Sequence, residues 1–379
     1  MRAKRWAAAL LCPALLLFCA EYPAAAETAA PPAISSLSAV VYEPESGTVL
    51  YEKDGRTARP MASTTKLMTA LLASELLGAE DTVRVPAAAL PVEGSQVGLA
   101  AGDEATVRDL LAALLLSSGN DAANALALLM ADSLPAFAEK MNARAAALGM
   151  TDSLFVTPSG LDQGGHSASA RDMALLGAAV LTRPLLAELC ASKTAAVTIG
   201  GRRMTLQNHN KLLKLYAPCI GLKTGFTKKS GRCLVSAAQQ DGVTLVIATL
   251  NGGDYWNDHM ALYAYGFSQV SRQALPPVQP MALPVAGGTA ATVSLAAPAP
   301  PSVVLRQGET VQTQVQLPAF VWAPVEAGQT MGQVQYTAGD RLLATVELCA
   351  AEAVPARPQP GFWALLWRRW QQLAQAMLQ

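Results

Sequence analysis

A serine and a lysine three residues apart are the first pair in this chain that could do chemistry. They sit in "RPMASTTKLMTALLASELL", Arg59 to Leu77, as Ser63 and Lys66. Apolar residues recur there at helical intervals, so the stretch reads as an amphipathic helix entered through a hydroxyl-rich turn. On a helix the two side chains share a face and lie close enough to touch. A serine hydroxyl is a poor nucleophile until something takes its proton. Lysine can take it only when neutral, a state favoured by burial and by neighbouring cations. Alone the pair says little, because a solvated lysine in a first helical turn gives the same pattern. Two further segments give it company. "LLLSSGNDAAN" places Ser118-Gly119-Asn120 in a loop between an apolar helix and the next one. "CIGLKTGFTKKSGRCLV" places Lys223-Thr224-Gly225 on a strand, where Gly225 lets a ligand backbone approach closely.

Other chemistries find little footing. The three histidines, His166, His209 and His259, form no visible triad, and "GHSAS" (Gly165 to Ser169) ends in serine where a nucleophile elbow needs glycine. "DYWNDH" (Asp254 to His259) offers carboxylates and one histidine without a ligand spacing, so no metal and no cofactor is expected. The cysteines match no zinc pattern and read as small buried hydrophobes. With 51% apolar and 15% charged residues among 379, the chain can bury a large core, and a formal charge of zero gives no grip on nucleic acid.

The elements that must position these groups follow from pattern. "SLSAVVYEPESGTVLYEKD" reads as two strands about a turn at Glu45-Ser46-Gly47. From Pro60 to about Leu181 the signals are mostly helical, with Thr106, Ser133 and Ser169 as N-cap residues and Gly149 as a stop. Strand character returns in "IGLKTGF" and "RCLVSAAQQDGVTLVIATL", followed by a helix around "HMALYAYGFSQV". Strands at both ends of a helical block imply one sheet built from the first and last segments, in a mixed α/β (α+β) domain over residues 31–272. Pro-rich linkers near Leu275 and Val/Thr alternation after them predict a small β-rich domain over 275–354.

The two ends differ from the middle. Arg2, Lys4 and Arg5, the apolar run Trp6 to Ala20 and Ala24-Ala25-Ala26 describe an export signal over residues 1–26. The run is shorter than a membrane span and contains Pro13; bulky Phe18 before Cys19 argues against lipidation. Removing it takes three basic and one acidic residue from a balanced 28 and 28, leaving about −2. At residues 360–379, Trp363, Leu366, Trp367, Trp370, Leu373 and Met377 fall on one helical face, with Arg368 and Arg369 elsewhere. Such a helix suits the plane of a membrane interface; docking back onto the protein is the alternative.

The ordered set S-x-x-K, S-x-N, K-T-G is the signature of penicillin-binding proteins and β-lactamases. With "MASTTKLMTA", "SSGNDAANALA", "GMTDSLFVTPSGLD", "NHNKLL" and "GLKTGFTKKSGRCLVSAA", the chain resembles the low-molecular-mass penicillin-binding proteins, serine-type D-Ala-D-Ala carboxypeptidases, from about Ser35 to its C-terminus. The resemblance implies a penicillin-binding/β-lactamase-like fold with an antiparallel sheet and a helical subdomain. It also implies peptidoglycan stem peptides ending in D-Ala-D-Ala as substrate, β-lactams as covalent inhibitors, and a location at the outer face of the cytoplasmic membrane. Ser63 is then the acylated nucleophile, Lys66 its base, and Ser118 a proton relay to the leaving amine. Asn120 positions the substrate amide, Lys223 and Thr224 grip the terminal carboxylate beside Gly225, and the backbone N–H groups of Ser63 and Phe226 form an oxyanion hole. "NHNKLL" shapes the floor, with His209 non-catalytic, and Gly94-Ser95 reads as a turn or as the cleft entrance.

Rival readings are a class A-like β-lactamase, a D,D-transpeptidase and a silent wall-binding scaffold. "LFVTPSGLDQGGHSASARD" (Leu154 to Asp172) contains no Glu to activate a deacylating water, which counts against the first. The intact Ser63, Lys66, Ser118, Asn120 and Lys223 count against the last.

Overall fold

Strict alternation of apolar side chains builds the sheet that carries one wall of the site. In the computed structural model, which describes residues 30–90, 92–358 and 361–377, β1 (Ser38–Glu43) and β2 (Thr48–Lys53) pair antiparallel about the Glu45–Gly47 turn. The export signal and Cys19 lie outside the described residues. A 3-10 turn (Ala62–Thr65) leads into α1 (Lys66–Leu76). A short ribbon of β3 (Thr82–Arg84) and β4 (Glu104–Thr106) precedes α2 (Val107–Leu115), α3 (Asn120–Met130), α4 (Leu134–Ala147), α5 (Ala170–Leu181) and α6 (Pro184–Ala191). The hairpin β5 (Thr194–Ile199) and β6 (Arg202–Gln207) and the single turn α7 (Leu212–Leu215) follow. The chain then returns as β7 (Cys219–Thr227), β8 (Gly231–Gln240), β9 (Val243–Gly252) and α8 (Tyr255–Ser268).

Five strands form one antiparallel sheet in the order β2-β1-β9-β8-β7, so the first and last segments do share a sheet. Its two faces separate by residue parity, as a period of two requires. Val40, Val235, Val246 and Ala248 pack with the helical block, whereas Ala39, Val41, Leu234, Leu245 and Ile247 pack with Leu262 and Tyr263 of α8. Helix starts follow the expected caps: Thr106 Oγ1 accepts from Asp109 N at 3.0 Å, Ser133 Oγ from Ala136 N at 3.2 Å and Ser169 Oγ from Asp172 N at 3.1 Å. Gly149, at φ +75°, ends α4.

Asp258 and His259 serve this architecture. Asp258 accepts four hydrogen bonds from the backbone and hydroxyl groups of Ser35 and Ser36, tying the N-terminal segment to α8. The fully buried His259 ring lies 2.7 Å from Ser236 Oγ and 2.8 Å from Thr249 Oγ1, and burial pushes its pKa down to about 3. It is a neutral cross-link between α8 and the sheet. All four described cysteines are free. Cys219 opposes Ala238 and Cys233 opposes Gly225, so the two are six β7 positions apart, about 20 Å, too far to bridge.

Beyond α8, β10 (Val270–Ala274) runs through the point where the two domains were expected to part and pairs with β13 (Ser302–Arg306). Arg272 ties this ribbon to the first domain, donating to Gly242 O and Ser302 O and pairing with Glu45. The other strands, β11 (Met281–Ala286), β12 (Thr292–Ala296), β14 (Gln312–Gln316), β15 (Val321–Trp322), β16 (Thr330–Ala338) and β17 (Arg341–Ala350), form a six-stranded sheet ordered β14-β16-β17-β12-β11-β15. Last comes α9 (Phe362–Ala376), whose Trp363, Trp367, Trp370 and Leu373 are exposed. No single described helix is long and apolar enough to cross a membrane.

Candidate active site

Ser63 lies in the 3-10 turn, and Lys66 is the first residue of α1. In a 3-10 turn, residues three apart eclipse one another, which aligns the pair more closely than the expected α-helix would. Lys66 Nζ donates to Ser63 Oγ at 2.9 Å, to Asn120 Oδ1 at 2.6 Å and to Ser159 O at 2.7 Å. The ammonium group is completely buried. Burial first, and the charge of Lys223 second, hold its pKa well below the usual lysine value, with Asp121 opposing. This lysine is therefore suited to accept the proton of Ser63.

The three motifs converge on one cleft of about 400 Å³, lined by Ser63, Ser118, Thr224, Gly225 and Phe226 among others. β7 is the edge strand of the sheet, and the 3-10 turn packs against it. Gly225 makes that contact possible: a Cβ there would lie 2.9 Å from Met61 O and 3.0 Å from Ser63 N and Thr64 N. Each motif also carries one non-glycine residue in the left-handed region, namely Ala62 (φ 48°) before Ser63, Ser118 (φ 62°) and Leu222 (φ 89°) before Lys223. Such conformations cost roughly 1–2 kcal/mol each and persist where the surroundings over-determine them.

Lys223 is buried behind Thr224, and its Nζ donates to Thr224 O at 3.2 Å. Burial lowers its pKa to about 8. The neighbouring Cys190, pushed up to about 12 by its own burial, is a neutral thiol at pH 7. Lys223 consequently keeps its charge near neutrality while Lys66 is driven toward the neutral form. Asn120, expected to meet the substrate amide, has both ends of its carboxamide engaged: Oδ1 holds Lys66 and Nδ2 donates to Glu93 O at 2.6 Å. Nδ2 carries a second N–H, which remains to meet a substrate carbonyl. Asp121 fixes the same loop by accepting from the N–H groups of Val97, Gly98 and Leu99.

Several participants were not foreseen. The loop after Leu154 presents a backbone carbonyl, Ser159 O, to Lys66 in place of a carboxylate. Thr69 Oγ1 donates to Pro158 O at 2.7 Å in the same loop. His166, whose Nδ1 accepts from Val156 N at 2.9 Å, faces Thr65 Oγ1 at 2.7 Å through Nε2. Burial pushes its pKa down to about 4, so it clamps the loop to the 3-10 turn as a neutral ring. Gly160 allows the close fit, since at φ +87° a Cβ would fall 1.9 Å from Ala62 O. The paired Ser159-Gly160 was the available signal. Ser95 and, from "NHNKLL", His209 and Lys211 line the cleft, as their readings as entrance and floor allowed; Arg232, Tyr255 and Trp256 line it without having been expected. Arg232 stands opposite Phe226 across the hairpin, its guanidinium 5.9 Å from the ring centroid. Among the described residues no cluster of His, Cys, Asp and Glu could hold a metal.

A buried lysine hydrogen-bonded to a serine that lines the cleft, with a second lysine on the adjoining edge strand, marks a serine-nucleophile acyl-transfer site. Comparison with known proteins narrows the class. Residues 25–253 match the D-alanyl-D-alanine carboxypeptidase family, and 279–356 match the C-terminal domain of penicillin-binding protein 5. D-alanyl-D-alanine carboxypeptidase DacB2 of Mycobacterium tuberculosis is 38% identical over 237 residues, covering 60% of this chain and 81% of that protein. DacF of Bacillus subtilis, of the same description, is 31% identical over 330 residues, covering 83% and 85%. The crystal structure of penicillin-binding protein 5 from Haemophilus influenzae superposes with a TM-score of 0.66 at 26% identity, covering 86% of this chain and 99% of that one. The chain belongs to the D-alanyl-D-alanine carboxypeptidase family, and its activity is that of a serine-type D-Ala-D-Ala carboxypeptidase.

Two outcomes follow from the geometry. Gly160→Ala should slow acylation of Ser63 by a β-lactam about 10²-fold, the usual effect of misplacing a reacting group by an ångström; time-resolved intact mass reads this, and unchanged acylation would refute the lock. Acylation should also fall as pH rises past about 8, when Lys223 loses its charge, and fall in acid as Lys66 becomes protonated. A rate flat from pH 7 to 10 would contradict the first limb.

Proposed function

We propose that the protein trims the terminal D-alanine from peptidoglycan stem peptides through an acyl-enzyme on Ser63, working at the outer face of the bacterial cytoplasmic membrane. The single observation that carries the catalytic reading is the buried Lys66 Nζ at 2.9 Å from Ser63 Oγ. Neutral Lys66 takes the hydroxyl proton as Ser63 Oγ attacks the carbonyl of the penultimate D-alanine. The oxyanion forms between the backbone N–H groups of Ser63 and Phe226, beside the positive end of α1. Ser118 passes a proton to the departing amine and takes one in turn from Lys66, which returns to the free base, and D-alanine leaves. Water then attacks the ester, losing its proton to Lys66, which returns it to Ser63 Oγ as the ester bond breaks and the shortened peptide departs. Charged Lys223, with Thr224, draws the terminal carboxylate to the cleft; Arg232 reinforces the positive field there. β-Lactams acylate the same serine, and the Ser159 carbonyl offers no base of its own to hasten their release.

The membrane placement rests on the two chain ends. The basic, apolar leader with its small-residue cleavage site supports export. The exposed Trp363, Leu366, Trp367, Trp370 and Leu373 of α9, with Arg368 and Arg369, support a helix lying in the headgroup region.

Incubation with a stem pentapeptide should release D-alanine and leave the tetrapeptide, whereas Ser63→Ala should do neither. D-alanine release that survives this substitution would overturn the assignment of the nucleophile. Deletion from Gly361 onward should leave turnover of soluble peptide intact but free the protein from membranes; a truncated form that still pellets with membranes would overturn the anchor.

A further inference from the structure

Between Thr310 and Val325 the chain carries no Asp, Glu, Lys or Arg, the sequence being TVQTQVQLPAFVWAPV. This strip ends in an exposed aromatic pair. Trp322 is 72% exposed and Phe320 47%, and their rings meet edge to face with centroids 5.4 Å apart. Buried apolar side chains of this domain form two separate clusters that include neither ring.

The position of the pair in the sheet gives it meaning. Trp322 pairs in register with Ala286, and Ala323 N donates to Ala286 O at 2.9 Å. The next residue, Gly287, accepts from Arg357 N at 2.8 Å, and Gly288 O accepts from Arg357 Nε at 2.6 Å. Val354 bridges Val325, three positions beyond Trp322. The aromatic pair therefore occupies the corner from which the chain departs toward α9. From Arg357 to Gly361, the N-cap of that helix, four residues can span at most about 14 Å.

We propose that Phe320 and Trp322 form a second contact with the lipid interface, beside the α9 anchor. The inference rests on the membrane reading of α9 given above. An anchor lying in the headgroup region holds this corner within one short tether of the bilayer, and the tether makes the second contact effectively intramolecular. Aromatic rings on an uncharged strip of chain suit that region, because they lose water there without dehydrating an ion of their own segment. Arg357 lies between the two contacts, where it can face anionic headgroups. Two contacts instead of one restrict the tilt of the β domain, and with it the direction in which the cleft faces the wall.

Hydroxyl-radical footprinting of the full mature chain, with and without vesicles of phosphatidylglycerol and phosphatidylethanolamine, tests this. Labelling of α9 and of Phe320 and Trp322 should fall several-fold together when vesicles are added. Phe320→Ser with Trp322→Ser should weaken vesicle co-sedimentation roughly tenfold, the order expected for one buried aromatic side chain, while turnover of soluble peptide stays unchanged. Protection of α9 with full labelling of Phe320 and Trp322 would overturn the second contact and leave the anchor standing. No protection of α9 would overturn the anchor and the second contact alike. Protection of the pair without vesicles, lost on deleting residues 361–379, would show that the tail itself covers it and would refute the lipid contact.

Discussion

A buried lysine must be able to give up its proton, and the rest of the catalytic domain is arranged around that requirement. Removing water from Lys66 disfavours the ammonium, and the positive charge of Lys223 disfavours it further. A neutral amine still needs hydrogen-bond partners once buried, and Ser63, Asn120 and Ser159 supply three. Each partner comes from a different part of the chain, so the helical block, the loop after α4 and the turn before α1 must close on one point. The left-handed residues at each motif show where the backbone yields to let them do so.

The two lysines divide the electrostatic labour by depth and company. Both are buried, yet Lys223 is lowered only to about 8 and remains a cation near neutrality. Its charge lies buried next to Thr224, which lines the cleft, and it biases Lys66 toward the free base. β7 adds a second asset as the outermost strand of its sheet, since an edge strand has backbone groups free to pair with an extended peptide. In the proposed mechanism, recognition of backbone and of terminal charge would thus arise from one strand.

Much of this was readable from the residues. Ser63, Lys66, Ser118, Asn120, Lys223 and Thr224 carry side chains whose types and order point to acyl transfer; Ser63, Ser118 and Thr224 line one cleft, Lys66 and Asn120 are hydrogen-bonded behind Ser63, and Lys223 is buried next to Thr224. The sheet was legible because "SAVVYE" and "VTLVIATL" alternate between two buried faces. The Ser159 and Glu93 carbonyls were not legible, because backbone acceptors leave no mark in residue type. Arg232 depends on cross-strand register, which is set by a hairpin rather than by local pattern. β10 looked like the end of a domain because its partner, β13, lies about thirty residues further on. The 3-10 geometry at Ser63 was hidden for a related reason: contact with β7 through Gly225 shapes that turn more than helix propensity does.

The loop that closes over Lys66 also limits what this enzyme can become. Fast hydrolysis of a penicillin acyl ester would call for a second base beside Lys66, and the place that faces Lys66 is held by the Ser159 carbonyl. That backbone is pinned: Gly160 has no room for a Cβ against Ala62 O, Pro158 holds Thr69, and His166 staples the loop to the turn that bears Ser63. A side chain added at Gly160 would press on Ala62 O and so disturb the turn that bears the nucleophile. The same fit that disfavours the ammonium form of Lys66 therefore leaves this loop little room to change.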